Sequence, residues 1–226
     1  FHVERLLVER ALALPALDLR WCHEVTGVEN LADGVVLRVE TPDGDYALRA
    51  DHVVACDGSR SPMRGFLGLA SSGRVFRDRF LIADITMHAP SFPAERRFWF
   101  DPPFHPGYSV LLHKQADEQW RVDFQLGWDA DPVAERQPER IAPRIRALLD
   151  SIGEPGLQFE IGWASVYTFA CQRMAAFRHG RVLFAGDAAH GVSPFGARGL
   201  NSGVADAENA AWKIAHVGHG WAPEEL

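Results

Sequence analysis

Two carboxylates in this chain stand where a ligand could use them. Asp57 ends the apolar run His52-Val53-Val54-Ala55-Cys56 and is followed by Gly58, Ser61 and Arg64 in the pattern D-G-x-x-S-x-x-R. Asp187 follows a second run, Arg181-Val182-Leu183-Phe184-Ala185, through Gly186. In open α/β sheets, ligands bind beyond the carboxyl ends of the strands. A carboxylate placed there can accept hydrogen bonds from sugar-like hydroxyls. Gly58 lets the backbone turn tightly, and Arg64 brings a fixed positive charge toward any phosphate nearby. An Asp-Gly pair alone reads as an ordinary turn; the full pattern with Ser61 and Arg64 points to a ligand site.

After Asp187 the chain is rich in Gly and Pro, including Pro194, and a helix is expected to begin near Gly199-Leu200-Asn201. A helix N-terminus presents unpaired N–H groups and partial positive charge, and so stabilises anions. Asp206 and Glu208 fall early in this helix and Lys213 and His216 late, which suits its dipole.

These segments need a frame. The periodicity of 1–14 predicts an amphipathic helix closed by Pro15. Short β-like runs at 19–30, 34–41 and 45–50, separated by Ala-Asp-Gly and Pro-Asp-Gly, predict a β-meander. The runs 52–56 and 181–185 lack polar alternation. Both read as buried strands of one parallel sheet. Between them, 74–129 is dense in strand formers, 138–151 reads as a helix, and another strand is expected near 157–168. The expected class is α/β with an inserted, mainly antiparallel β domain: 1–72, then 73–179, then a return to the first domain over 180–226.

Composition excludes several alternatives. The net charge is −7 with a pI near 5.8, which argues against nucleic acid or an anionic membrane as a partner. Three cysteines, Cys22, Cys56 and Cys171, form no C-x-x-C pair. This sparse, odd set gives neither a disulfide framework nor a thiolate metal site, and fits a reducing cytosol. No apolar run approaches the roughly 20 residues that span a bilayer. The chain opens on Phe1 with no signal segment. A soluble, cytoplasmic protein is expected, read here as a piece of something longer. His216 and His219 have no third ligand nearby in sequence, so no metal is expected. His105 and His113 read as strand or loop residues, and Phe98-Trp99-Phe100 as core. The composition carries no signal for oligomeric state.

The two segments resemble the second and third flavin motifs of the class A flavoprotein monooxygenases, the para-hydroxybenzoate hydroxylase type. The resemblance covers most of the chain. It implies an FAD/NAD(P)-binding three-layer fold, here partial, with an inserted substrate-binding β-sheet. Asp57, Gly58 and Arg64 would sit near the pyrophosphate, with Asp57 also serving NAD(P)H use. Gly186 and Asp187 would bind the ribityl chain. Pro194 through Asn201, including Gly199 and Leu200, would wrap the isoalloxazine ring. The implied reaction is hydroxylation of a small aromatic substrate by FAD, NAD(P)H and O2, with no side chain required as a nucleophile.

Two departures accompany the resemblance. Ala197 and Arg198 stand where the family more often has glycine and glutamine; Arg198 either adds positive charge near the ring or points to solvent. No G-x-G-x-x-G occurs, so the segment that cradles the ADP phosphates is absent from these residues. An interior fragment is expected, and one that alone holds no stoichiometric FAD. Two rivals stay open: another flavin oxidoreductase of the fold, a reductase or a halogenase, and a truncated, non-catalytic chain. Absence of W-x-W-x-I-P lowers the halogenase option, and flavin absorbance separates the others.

Overall fold

The computed structural model describes residues 2–90, 92–192 and 198–225. In chain order the elements are α1 (His2–Leu12), β1 (Glu24–Leu31), β2 (Gly34–Glu40), β3 (Tyr46–Ala50), β4 (Val53–Ala55) and α2 (Pro62–Phe66). Then come β5 (Ser71–Thr86), β6 (Arg96–Phe100), β7 (Ser109–Lys114), β8 (Gln119–Leu126), α3 (Pro132–Glu135), α4 (Pro138–Ser151) and β9 (Glu160–Met174). The last are β10 (Arg178–His179), β11 (Val182–Phe184), β12 (His190–Gly191) and α5 (Arg198–Gly218).

The chain divides into two units. The first holds Phe1–Ser72 with Gln172–Leu226, the second Gly73–Cys171. Residues 172–179, placed with the β domain on sequence grounds, are grouped with the first unit.

In the first unit, β1, β2 and β3 form the expected antiparallel meander. Leu31 pairs with Gly34, so Ala32-Asp33 is the hairpin turn. The first strand begins later than expected, because Cys22 adopts φ +58° and breaks the extended run. A second sheet, ordered β10-β11-β4, contains the anticipated parallel pair: Val182 lies beside Val53, Leu183 beside Val54 and Phe184 beside Ala55. Burial on both faces is not observed for β4. It is the outer strand of this sheet, and Val54 is 37% exposed. The core joins Val35, Leu37 and Val39 of the meander to Ala55, Met63, Met174, Val182, Phe184, Ala188 and Ala189. α1 forms where its periodicity predicts, but Val3, Leu6 and Leu7 are all exposed.

The second unit is built on a sheet whose full order is β12-β9-β5-β8-β7-β6. The pairs β5–β8, β8–β7 and β7–β6 are antiparallel. Strict alternation on β8 sends Trp120, Val122, Phe124 and Leu126 inward. They meet Ile141, Ile145, Leu148 and Leu149, which share one face of α4 at helical spacing. This is a mixed α/β molecule whose antiparallel sheet comes largely from residues inserted in the sequence between the two segments of the first unit.

Candidate functional site

The first strand end is shaped by the cap of a short helix. Gly58 takes φ +82°, a left-handed conformation costly for other residues. The Ser61 N–H then reaches the Gly58 carbonyl at 3.0 Å. Ser61 is buried and its Oγ accepts from the Arg64 N–H at 3.1 Å, while Asp57 Oδ2 accepts from the Met63 N–H at 3.0 Å. Two N–H groups that α2 cannot satisfy internally are thus held by the very Asp and Ser of the D-G-x-x-S-x-x-R pattern.

The second strand end turns at Gly186, φ +58°, into a single 3-10 turn over Gly186–Ala188. Ala188 and Ala189 are buried and pin the turn, whereas Asp187 is exposed. Its carboxylate makes no hydrogen bond or ion pair among the described residues, and so is available to a ligand's hydroxyls.

The two ends are tied together. Arg64 Nη1 donates to the Ala188 carbonyl at 2.9 Å and its Nη2 donates to the Ser59 carbonyl. The guanidinium therefore bridges both motifs instead of pointing only toward a ligand. Asp206 of α5 completes the arrangement. Its Oδ2 accepts from the Gly186 N–H at 2.9 Å and from His190 Nε2 at 2.6 Å. α5 comes close here because Gly203 faces Gly186; a methyl group on Gly203 would lie 3.6 Å from the Gly186 Cα.

Among the residues singled out in the sequence, Asp57, Gly58, Arg64, Gly186 and Asp187 come together around the paired strand ends. Gly199, Leu200 and Asn201 fall in the first turn of α5, with Leu200 exposed. Pro194 lies outside the described residues. Asp206 and His190 were not among the expected site residues. The available signal for Asp206 was its place three residues after Gly203, on the helix face that a glycine lets approach the strand end.

The carboxylates also set the local electrostatics. Partial burial, and then Asp57 and Asp206, push the Cys56 thiol up, which favours its protonated form. No group of His, Cys, Asp and Glu among the described residues could hold a metal ion. His216 Nδ1 is bonded to the Trp212 carbonyl at 2.8 Å, and His219 stacks on Trp221.

A family model described as FAD binding domain matches residues 1–226. The chain belongs to this family. It is 34% identical over its whole length to 12-dehydrotetracycline 5-monooxygenase/anhydrotetracycline 6-monooxygenase from Streptomyces rimosus, of which it covers 45%. It superposes on the crystal structure of p-nitrophenol 4-monooxygenase from Pseudomonas putida with a TM-score of 0.81 at 28% identity, covering 99% of this chain and 55% of that one. With aklavinone-11 hydroxylase, solved with FAD and aklavinone, the TM-score is 0.86 at 25% identity, covering 98% of this chain and 42% of that one. The chain thus spans between 34% and 52% of the length of the curated relatives it matches. The fold is the FAD-binding fold of the flavin-dependent hydroxylases. No helix among the described residues is long and apolar enough to cross a membrane.

Proposed function

We propose that this chain is part of an FAD-dependent monooxygenase that hydroxylates a small, phenol-like aromatic substrate with NAD(P)H and O2. One observation carries the reading: the parallel pairing of β4 with β11 sets the Asp57 and Asp187 turns side by side, and Arg64 and Asp206 lock them there. The relatives, named as monooxygenases and hydroxylases, support the reaction class. On this reading the first unit holds the flavin and the second the substrate.

The residues fit FAD. Asp187 is an acceptor at a strand end without a partner among the described residues, suited to the ribityl hydroxyls, with Gly186 giving the turn that exposes it. Asp57 and Gly58 lie beside it, suited to the pyrophosphate region. Arg64 keeps N–H donors beyond the two it spends on carbonyls. The N-terminal turn of α5, with Gly199, Leu200 and Asn201, offers N–H groups to the electron-rich end of the ring. When bound, FAD would take reducing equivalents from NAD(P)H and deliver one oxygen atom of O2 to the substrate ring. The protein's own share is to position the partners, stabilise charge and exclude water. The three cysteines are free, which accords with a reducing compartment, and we assign the protein to the cytoplasm.

The test is flavin absorbance of the purified full-length protein, followed by phenol-stimulated NAD(P)H oxidation. A yellow protein that couples NAD(P)H oxidation to a hydroxylated product is expected. A protein that retains FAD but oxidises NAD(P)H without oxygen insertion would identify a reductase instead.

A further inference from the structure

The face of the second unit's sheet turned away from α4 carries a carboxyl group with one oxygen that has no hydrogen-bond donor among the described residues. Asp123 lies in the middle of β8, opposite Ile82 of β5 and Leu111 of β7. Alternation sends it to the side opposite Val122 and Phe124, which enter the core. Its Oδ1 is buried and accepts no hydrogen bond among the described residues. Native folds keep few such groups, because a buried acceptor without a donor is destabilising.

The charged neighbours do not meet this need. Arg121 lies two residues before it on the same strand and gives its guanidinium to Asp84: Nε to Oδ1 at 2.8 Å and Nη2 to Oδ2 at 2.9 Å. Arg96 of β6 is turned to His113 of β7, with 3.5 Å between Nη2 and Nδ1. Burial, then Arg96 and Arg121, hold His113 toward its neutral form. Burial pushes Asp123 up to about 6; Arg121 opposes this and the Asp84 carboxylate adds to it. Pairing register puts aromatic residues on the same face as Asp123, Phe80 on the neighbouring strand β5 and the exposed Phe98 and Phe100 on β6, the second strand on the other side. Phe80, two residues from Ile82, lies 5.3 Å from Phe169, and Phe98, paired with Leu111, lies 4.6 Å from Phe100.

We propose that Asp123 anchors the substrate's hydroxyl: a phenolic O–H donates to the Asp123 carboxylate while the flat ring lies against the aromatic side chains of this face. The proposal rests on the aromatic-hydroxylase reading above and adds the residue that recognises the phenol. A hydrogen bond from a hydroxyl to a carboxylate is charge-assisted and short, and it shifts electron density onto the ring oxygen. That shift favours attack by an electrophilic oxygen atom at the ring. No bond to Asp123 is made or broken.

The experiment uses the full-length protein and compares calorimetric affinities for naphthol and for its methyl ether, which has the same ring and no O–H. Wild type is expected to prefer naphthol by about tenfold or more at about pH 8, the loss expected for one hydrogen bond to a charged group. The preference shrinks at about pH 5, where Asp123 gains its proton. In Asp123→Asn it falls to within about threefold at both pH values, with FAD content unchanged. Asp123→Leu, which keeps the branching at Cγ and has no acceptor, repeats the comparison in a second variant. An undiminished preference in both variants, or a wild type that prefers neither ligand or binds neither, overturns the proposal. FAD absorbance reads the flavoenzyme assignment separately: a full-length protein without flavin sinks that assignment, while an Asp123-dependent naphthol preference would still stand.

Discussion

Asp187 holds its carboxylate in the open, bonded to nothing among the described residues, so its removal should be felt by a ligand and hardly by the fold. Asp187→Ala is expected to weaken FAD binding by about tenfold or more, since a hydrogen bond to a charged group contributes about 1.5–3 kcal/mol. Stability should move by less than about 0.5 kcal/mol, as at other exposed positions. Flavin retained through dialysis as in the parent protein would count against the assignment. Asp123 makes the opposite case. A carboxyl raised from 3.8 to about 6 is penalised when ionised, so the fold binds more protons than the unfolded chain across that window. Stability is therefore highest with Asp123 protonated and falls as pH rises from about 4 through about 6. Asp123→Asn has no proton to lose. Relative to wild type it should gain up to about 3 kcal/mol between those pH values, measured by urea unfolding across pH. A difference that does not change with pH would show that the carboxyl is not so penalised.

At the scale of elements, the strand ends are held from α5 as well as by the β4–β11 pairing and the Arg64 bridge. Asp206→Ala leaves the Gly186 N–H without its acceptor and His190 without its partner. A loss of about 1–3 kcal/mol is expected, together with weaker flavin binding; Asp206→Asn, which keeps an acceptor for the N–H, should recover part of both. Equal losses in the two variants would mean that the charge alone matters. The elements themselves were legible in the sequence to different degrees. The helix at 138–151 and the meander could be read from period and turn chemistry, because these signals are local. The parallel partnership of 53–55 with 182–184 could be read because apolar runs ending in Gly-Asp or Asp-Gly have few other uses. Asp206 could not, since it looks like a residue serving the helix dipole until the Gly203 contact brings it to Gly186. The exposure of Val54 escaped for a related reason: an apolar run reports what a strand can bury, and which neighbours cover it depends on sheet order.

For the molecule as a whole, the two units keep separate cores, one centred on the α4 face and one on the meander and the paired strand ends. Ile145 is fully buried among Leu148, Leu149 and the inner face of the second unit's sheet. Ile145→Ala should cost about 2–5 kcal/mol through lost burial and the cavity left behind. Circular dichroism during urea unfolding measures it, and a cost below about 1 kcal/mol would contradict the packing described. The membership of 74–129 in one sheet was foreseeable from its density of strand formers. Asp123 was not: one aspartate among alternating residues of a strand gives no warning that one of its carboxyl oxygens will lie buried without a donor among the described residues.

The Arg64 bridge joins residues 124 positions apart in the chain. During synthesis, everything up to Gly73 leaves the ribosome long before Ala188 exists, and at ~5–20 residues per second the wait is several seconds or more. For that time β4 lies without β11, and the Arg64 guanidinium without the Ala188 carbonyl. Closing so long a loop costs only a little more entropy than closing a short one, but it must wait until the residues between have been made. The proposed flavin site is therefore completed late in synthesis, and in a nascent chain halted before Ala188 both edges of β4 would be open to pairing by other chains.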